Sequence, residues 1–375
     1  MKRNTSSVSL HGGGERRPPE RMRHSSLGRP GWGSICLAAI ALLTLGATAA
    51  PTVDTTRLLA ETPAQNLSDY RLFADTAARI PAPGVTRYTL NTPLFSDYAE
   101  KFRYVWMPAG MAAKYTPAGV LEFPIGTTII KNFAYPADFR RPATDVHIIE
   151  TRLLIRKASG WVPLTYVWNA DGSDAVVKRA GAHVPVNFID TAGKAQSIDY
   201  AVPNINQCKQ CHLSGDAITP IGPTAANLND GVQLKAMAAA GRLTGLDASP
   251  PQLVRWDDTS APVAARARAY LEVNCGHCHS RTGFASNSGL YLQHDEPDAA
   301  HQGINKRPVA AGRGSGSREF GIAPGAPDAS ILLHRMESNE PGVMMPQFGR
   351  SVPHAEGVAL VRAYIAAMKP FPPSS

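Results

Sequence analysis

The chain has 375 residues, 43% of them hydrophobic and 18% charged, with 32 glycines and 31 prolines. That length points to two or three domains, the apolar fraction excludes wholesale disorder, and so many turn-formers exclude a coiled coil or helical bundle throughout. Of the formal charge of +8, most lies in residues 1–49, and removing them leaves 31 bases against 28 acids, too even a balance for a nucleic-acid footprint.

Residues 1–49 read as a signal peptide. A basic segment is followed by GSICLAAIALLTLGATAA from Gly33 to Ala50, with no charge between Arg29 and Asp54. Ala47-Thr48-Ala49 offers a small-residue cleavage site, so the mature chain is expected to start near Ala50. Met22 heads a leader of more usual length and is the expected start. The alternative is an uncleaved membrane anchor, since the apolar run approaches the lower length limit for a spanning helix. Cleavage would make the protein periplasmic, with membrane contact only if the leader is retained.

Residues 50–84 form a lead-in with a short helical pattern. From Val85 to about Val202 the text turns to strands: Lys101–Met107, Val120–Phe123, Thr127–Phe133 and His147–Lys157 are rich in Val, Ile, Thr and aromatics. Ser159-Gly160 joins His147–Lys157 to Trp161–Asn169 as a hairpin. The expectation for 85–202 is an all-β sandwich. Trp106, Trp161, Tyr166 and Trp168 read as its core rather than as a ligand surface.

Chemistry becomes legible after Asn204. Without Cys36 of the leader, four cysteines remain, as Cys208-Lys-Gln-Cys211-His212 and Cys275-Gly-His-Cys278-His279. C-x-x-C-H is the attachment signature of c-type haem. Two thiols one helical turn apart reach the two vinyl groups of a porphyrin, and the adjacent histidine presents its imidazole to the iron. Zinc ribbons pair C-x-x-C motifs about 15–20 residues apart, whereas Cys208 and Cys275 are 67 apart; zinc would also leave both histidines unexplained. Neither motif has the βαβ setting of a thioredoxin pair, and two structural disulfides would not require histidine twice. Two covalently attached haem c groups are therefore expected.

The first haem segment, 203–256, continues through a turn-rich strap at Thr219-Pro-Ile-Gly-Pro-Thr and a short amphipathic helix ending at Gly241. It is too small to enclose a haem alone and must borrow walls from its neighbours. The second, 257–375, opens with an N-cap in Asp257-Asp258-Thr259-Ser260 and a helix over Ala264–Val273. Gly312-Arg-Gly-Ser-Gly-Ser is expected as a flexible surface loop, and Val358, Val361, Ile365 and Met368 mark a closing helix. The overall expectation is an α+β multidomain chain: an N-terminal all-β sandwich, then two small, mostly α-helical c-type haem domains.

For the second iron, Met345, stiffened by Pro346 and preferred to Met344, is the expected sixth ligand. For the first, Met237 is a candidate, His183 reaching in from the β domain is another, and an open position is a third.

The chain resembles a family of exported diheme c-type cytochromes of poorly defined role. The resemblance rests on Thr92-Pro-Leu-Phe-Ser-Asp-Tyr98, Phe123-Pro-Ile-Gly-Thr127, Ile149-Glu-Thr-Arg-Leu-Leu154, Tyr166-Val-Trp-Asn169, Pro220-Ile-Gly-Pro223 and Asn227-Leu-Asn229. In the last third, Tyr270-Leu-Glu-Val-Asn-Cys275, Pro324-Gly-Ala-Pro327 and Met345-Pro346 are similar to class I cytochrome c segments. It implies that Cys208, Cys211 and His212 bind one haem, and Cys275, Cys278 and His279 the other, with Met345 as distal ligand. It implies electron transfer between redox partner proteins and names no substrate. A diheme peroxidase or oxidase using an open first haem is one alternative. The other is a dehydrogenase's cytochrome subunit with the β domain as binding module.

Overall fold

The computed structural model describes residues 52–370. The expected leader lies outside them, and among the described residues no helix is long and apolar enough to cross a membrane. The architecture is α+β: one large antiparallel sheet, smaller strand pairs and seven α-helices among the described residues.

Six strands run in sequence order across the main sheet: β1 Val85–Arg87, β2 Glu100–Trp106, β3 Thr128–Pro136, β4 Val146–Lys157, β5 Gly160–Trp168 and β6 Ala175–Val177. The expected hairpin is present, with Lys157 paired to Gly160, whose φ of 123° suits glycine. Val120–Phe123 does not form the expected strand. It makes isolated bridges to Lys114 and Thr224, because Pro117 and Pro124 bracket it too closely for a ladder.

Alternation along the strands gives the two faces different tasks. On one, Tyr104, Ile130, Leu153 and Leu164 stand in a cross-strand row beneath the lead-in. Leu58 of helix α1 (Thr55–Leu59), Leu67, Tyr70 and Leu72 cover that row and are at most 1% exposed. Each such fully buried side chain is worth about 1.5–3 kcal/mol of transfer free energy. Tyr166 secures the lid, its hydroxyl donating to the Ala64 carbonyl at 2.8 Å. Trp106 and Trp168 also belong to this core, and Trp161 packs edge-on against Phe123.

The other face falls into three bands. At one end Val105, Ile129 and Leu154 pack with Leu121, Leu228, Leu234 and Leu243 of later segments. At the other, Phe133 and Tyr135 pack under a separate hairpin, β7 Ala182–Ile189 with β8 Ala195–Val202, through Phe188 and Tyr200. Between them a polar row, Arg103, Lys131, Arg152 and Thr165, crosses β2 to β5.

The remaining helices are α2 Ile205–His212, α3 Ala225–Leu228, α4 Gln233–Ala239, α5 Val263–Leu271, α6 Ile331–Glu337 and α7 Ala355–Ala366. Pro262, not the Asp257–Ser260 run, occupies the N-cap of α5, while Asp258 closes a local turn onto Ser260. Helices α5 and α7 approach closely at Gly357, where a Cβ would fall 2.3 Å from the Tyr270 ring. The segment Gly312–Ser315 is a 3-10 turn rather than a loose loop. Gly314 is buried against the Arg335 guanidinium, 3.2 Å from where a Cβ would stand.

Candidate functional site

Both C-x-x-C-H motifs sit on helical turns, as two thiols and an imidazole on one side require. The first occupies α2. Asn204 caps it, its side chain accepting from the Asn206 and Gln207 amides at 3.0 and 2.9 Å. Gln207 reaches back to the Asn204 amide at 2.9 Å, closing a capping box. The second motif follows α5 through a π-helical turn, Glu272–Gly276. Asn274, 4% exposed, orients this turn. Its amide donates to the Tyr270 carbonyl at 2.9 Å, and its carbonyl accepts from the Phe95 amide at 2.8 Å.

The segment between β1 and β2 thus ties the sheet to the second motif. Asn91 and Thr92 bind backbone around Asn229, Leu253 and Val254. Asp97 accepts from the amides of Ser351 and Val352 at 2.6 and 3.0 Å, gripping the chain before α7.

Two clefts result. Cys208, Cys211 and His212 line the first, whose far wall is the polar band of the sheet through Lys131 and Arg152. Cys275, Cys278 and His279 line the second, about 460 Å³, inside the usual range of roughly 300–1,000 Å³ for a ligand site. The first is narrower, about 110 Å³. They share a wall that includes Cys211, Cys275, His277 and Met345.

At that wall Cys211, His277 and Cys278 present ligand atoms all within 4.8 Å of one another. His277, inside the second motif, was not singled out from the sequence. Its Nδ1 is buried without a hydrogen-bond partner. Contact with Cys278 pulls the Cys211 thiol below its usual range, and burial pushes Cys275 up to about 12.

The two motif histidines are set alike. His212 Nδ1 lies 2.7 Å from the Thr219 carbonyl, which only accepts, so Nδ1 carries the proton and Nε2 keeps its lone pair. His279 Nδ1 lies 3.3 Å from Ser288 Oγ. That hydroxyl gives its proton to the Ala285 carbonyl at 2.6 Å, so it accepts from His279, again leaving Nε2 free. Burial lowers His212 to about 3 and His279 to about 4, keeping both neutral at ordinary pH. Each motif therefore offers two thiols and one oriented imidazole lone pair. This donor set could hold a covalently attached, iron-bearing macrocycle.

Met345 lines both clefts, whereas Met344 lines neither. The Met345 loop is pinned by Arg350, 5% exposed, whose guanidinium donates to the Met345 carbonyl at 2.9 and 3.1 Å. Met237 is not brought to His212: it packs on α4 against the cluster of Leu234 and Leu243. His183 does not reach in either. It is exposed on β7, with Nδ1 2.7 Å from Asp199 Oδ2. His354 lines the first cleft instead, stacked on Phe95 with centroids 4.2 Å apart and Nδ1 3.0 Å from the Tyr270 hydroxyl. Burial, with Arg103 and Arg152 beside it, brings Lys131 down to about 7.

No protein-family model, curated protein or solved structure matches this chain.

Proposed function

We propose that the chain is an exported diheme c-type cytochrome that passes single electrons between periplasmic redox partner proteins. One observation carries this reading: the fold brings two C-x-x-C-H motifs together until the sulfurs of Cys211 and Cys278 lie within 4.8 Å. Electron tunnelling falls steeply with distance, so a relay requires its two centres to be close.

On this reading Cys208 and Cys211 hold one haem c, and Cys275 and Cys278 the other. The haems, when bound, supply reversible one-electron iron chemistry, while the protein sets potential and access. His212 and His279 bind iron through Nε2, each fixed in that tautomer by its Nδ1 partner. Met345, which lines both clefts, would be the thioether ligand of the second iron. The α+β chain then reads as a β domain over 85–202 and two haem segments, 203–256 and 257–375. The last is class I-like, and the sheet is a wall of the first haem site. Residues 1–49 deliver the chain to the compartment where the thioethers form.

The test is a redox and spin-state measurement on protein matured in a host that attaches haem. Electron transfer predicts two one-electron waves and two low-spin, six-coordinate ferric haems. Turnover of peroxide or oxygen at a high-spin haem would replace it with the enzyme reading.

A further inference from the structure

The sheet face that closes the first cleft carries more positive charge than its surroundings neutralise. In cross-strand register Arg103 stands beside Lys131, and Lys131 beside Arg152. Neighbours in such a ladder have Cβ atoms roughly 5 Å apart, so their charges face one another. Arg103 is 7% exposed, and its Nε has no hydrogen-bond partner; the Nε of Arg152 has none either.

One buried acid, Glu150, serves this row; one of its oxygens is buried without a hydrogen-bond partner, and a single carboxylate does not balance the row's cations. Glu150, fully buried, holds Arg152 with one oxygen and accepts from the Tyr200 hydroxyl through the same oxygen at 2.6 Å. Among the described residues no carboxylate pairs with Lys131 or Arg103. The Phe133 ring meets the Arg152 guanidinium at 4.1 Å, Lys131 Nζ at 5.6 Å and Lys101 Nζ at 5.8 Å; with Arg103 that makes four cations, which a ring quadrupole does not balance. Like charges held this close, away from water, are costly unless one of them gives up its proton or an anion joins them.

We infer that Lys131 and Arg152, backed by Arg103, form a carboxylate- or oxyanion-binding site in the first cleft, beside His212. The Arg152 fork suits a planar carboxylate or an oxyanion, and Lys131 supplies a point charge. Two sources share this chemistry: an acid side chain of a porphyrin held by Cys208 and Cys211, or a small free oxyanion. The first source rests on the haem reading above; the second does not.

Sulfate is the probe, titrated against chloride at constant ionic strength, with Lys131→Gln and Lys131→Arg beside the wild type. Removing one of these repelling cations relieves strain, so Lys131→Gln is expected to fold. In haem-loaded protein Lys131→Gln lowers the reduction potential of one centre and leaves the other in place, while Lys131→Arg keeps the wild-type value. If the anion is free, sulfate produces a saturable shift in the ferric spectrum of the wild type, weakened at least tenfold in Lys131→Gln. If it belongs to the porphyrin, sulfate produces no saturable shift, yet the potential still falls. Failure of the haem reading shows separately, as absent porphyrin mass; sulfate-dependent melting of the haem-free chain, lost in Lys131→Gln, then tests the site. Wild-type potentials together with an unchanged sulfate response in Lys131→Gln would overturn the proposal.

Discussion

The sulfurs of Cys211 and Cys278, 67 residues apart in the chain, lie within 4.8 Å of each other. Neither motif achieves this alone. Helix α2 is laid on the sheet, where Thr165 Oγ1 comes 3.9 Å from Cys208 Sγ. The turn after α5 is held from the opposite side by the segment between β1 and β2. The sheet is thus a jig that sets the spacing of the two motifs.

That role makes Asn274 a structural hinge-pin. Asn274→Ala strands the Phe95 amide in a part-buried position and removes the bond to the Tyr270 carbonyl. A buried donor left unpaired costs about 1–3 kcal/mol. Denaturant unfolding should show a loss of that order, whereas Asn206→Ala, on the exposed side of α2, should stay within roughly 0.5 kcal/mol of wild type.

On the haem reading, Met345 would distinguish the two centres. Thioether ligation favours ferrous iron, so Met345→Ala should lower the potential of one haem and leave the other nearly unchanged. Met344→Ala should alter neither, because Met344 lines neither cleft. Spectroelectrochemical titration of both variants reads this out.

On the haem reading, Ser288 would act on the second iron through His279. Its oxygen accepts the Nδ1 proton, which makes the imidazole a stronger donor and favours ferric iron. Ser288→Ala removes that acceptor and should raise the potential of the second haem alone, opposite in sign to Met345→Ala. The same titration distinguishes them.

His354 gives the fold a pH dependence. Burial lowers it to about 4 in the folded chain, against about 6.5 when unfolded. The unfolded chain then binds more protons between these values, so stability falls as pH drops from about 6.5 towards about 4 and is lost no further through this group below that. The full contribution is about 3 kcal/mol. His354→Phe, able to keep the stack on Phe95, should flatten the slope of unfolding free energy against pH over that window in haem-loaded protein.

The two motifs were legible from the residues because they are local: two thiols and a histidine at fixed spacing need no tertiary information. The strands of β2 to β5 and the Lys157–Gly160 hairpin were legible for the same reason. Asn274, Asp97 and His277 were not, since their roles lie in contacts with segments up to 255 positions away. The Arg103–Lys131–Arg152 row was missed because charged residues alternating in a strand ordinarily mark its wet face; here that face is covered by α2 and the cleft. Met237 misled because helical spacing fits both a ligand and a core residue, and packing against Leu234 and Leu243 made it core.

The central claim is that four thiols carry two porphyrins. Intact-mass measurement of chain matured with haem attachment, repeated on Cys208→Ser/Cys211→Ser and on Cys275→Ser/Cys278→Ser, tests it directly. The account expects two added haems in the wild type and one in each double variant. A wild-type chain at bare polypeptide mass would contradict it.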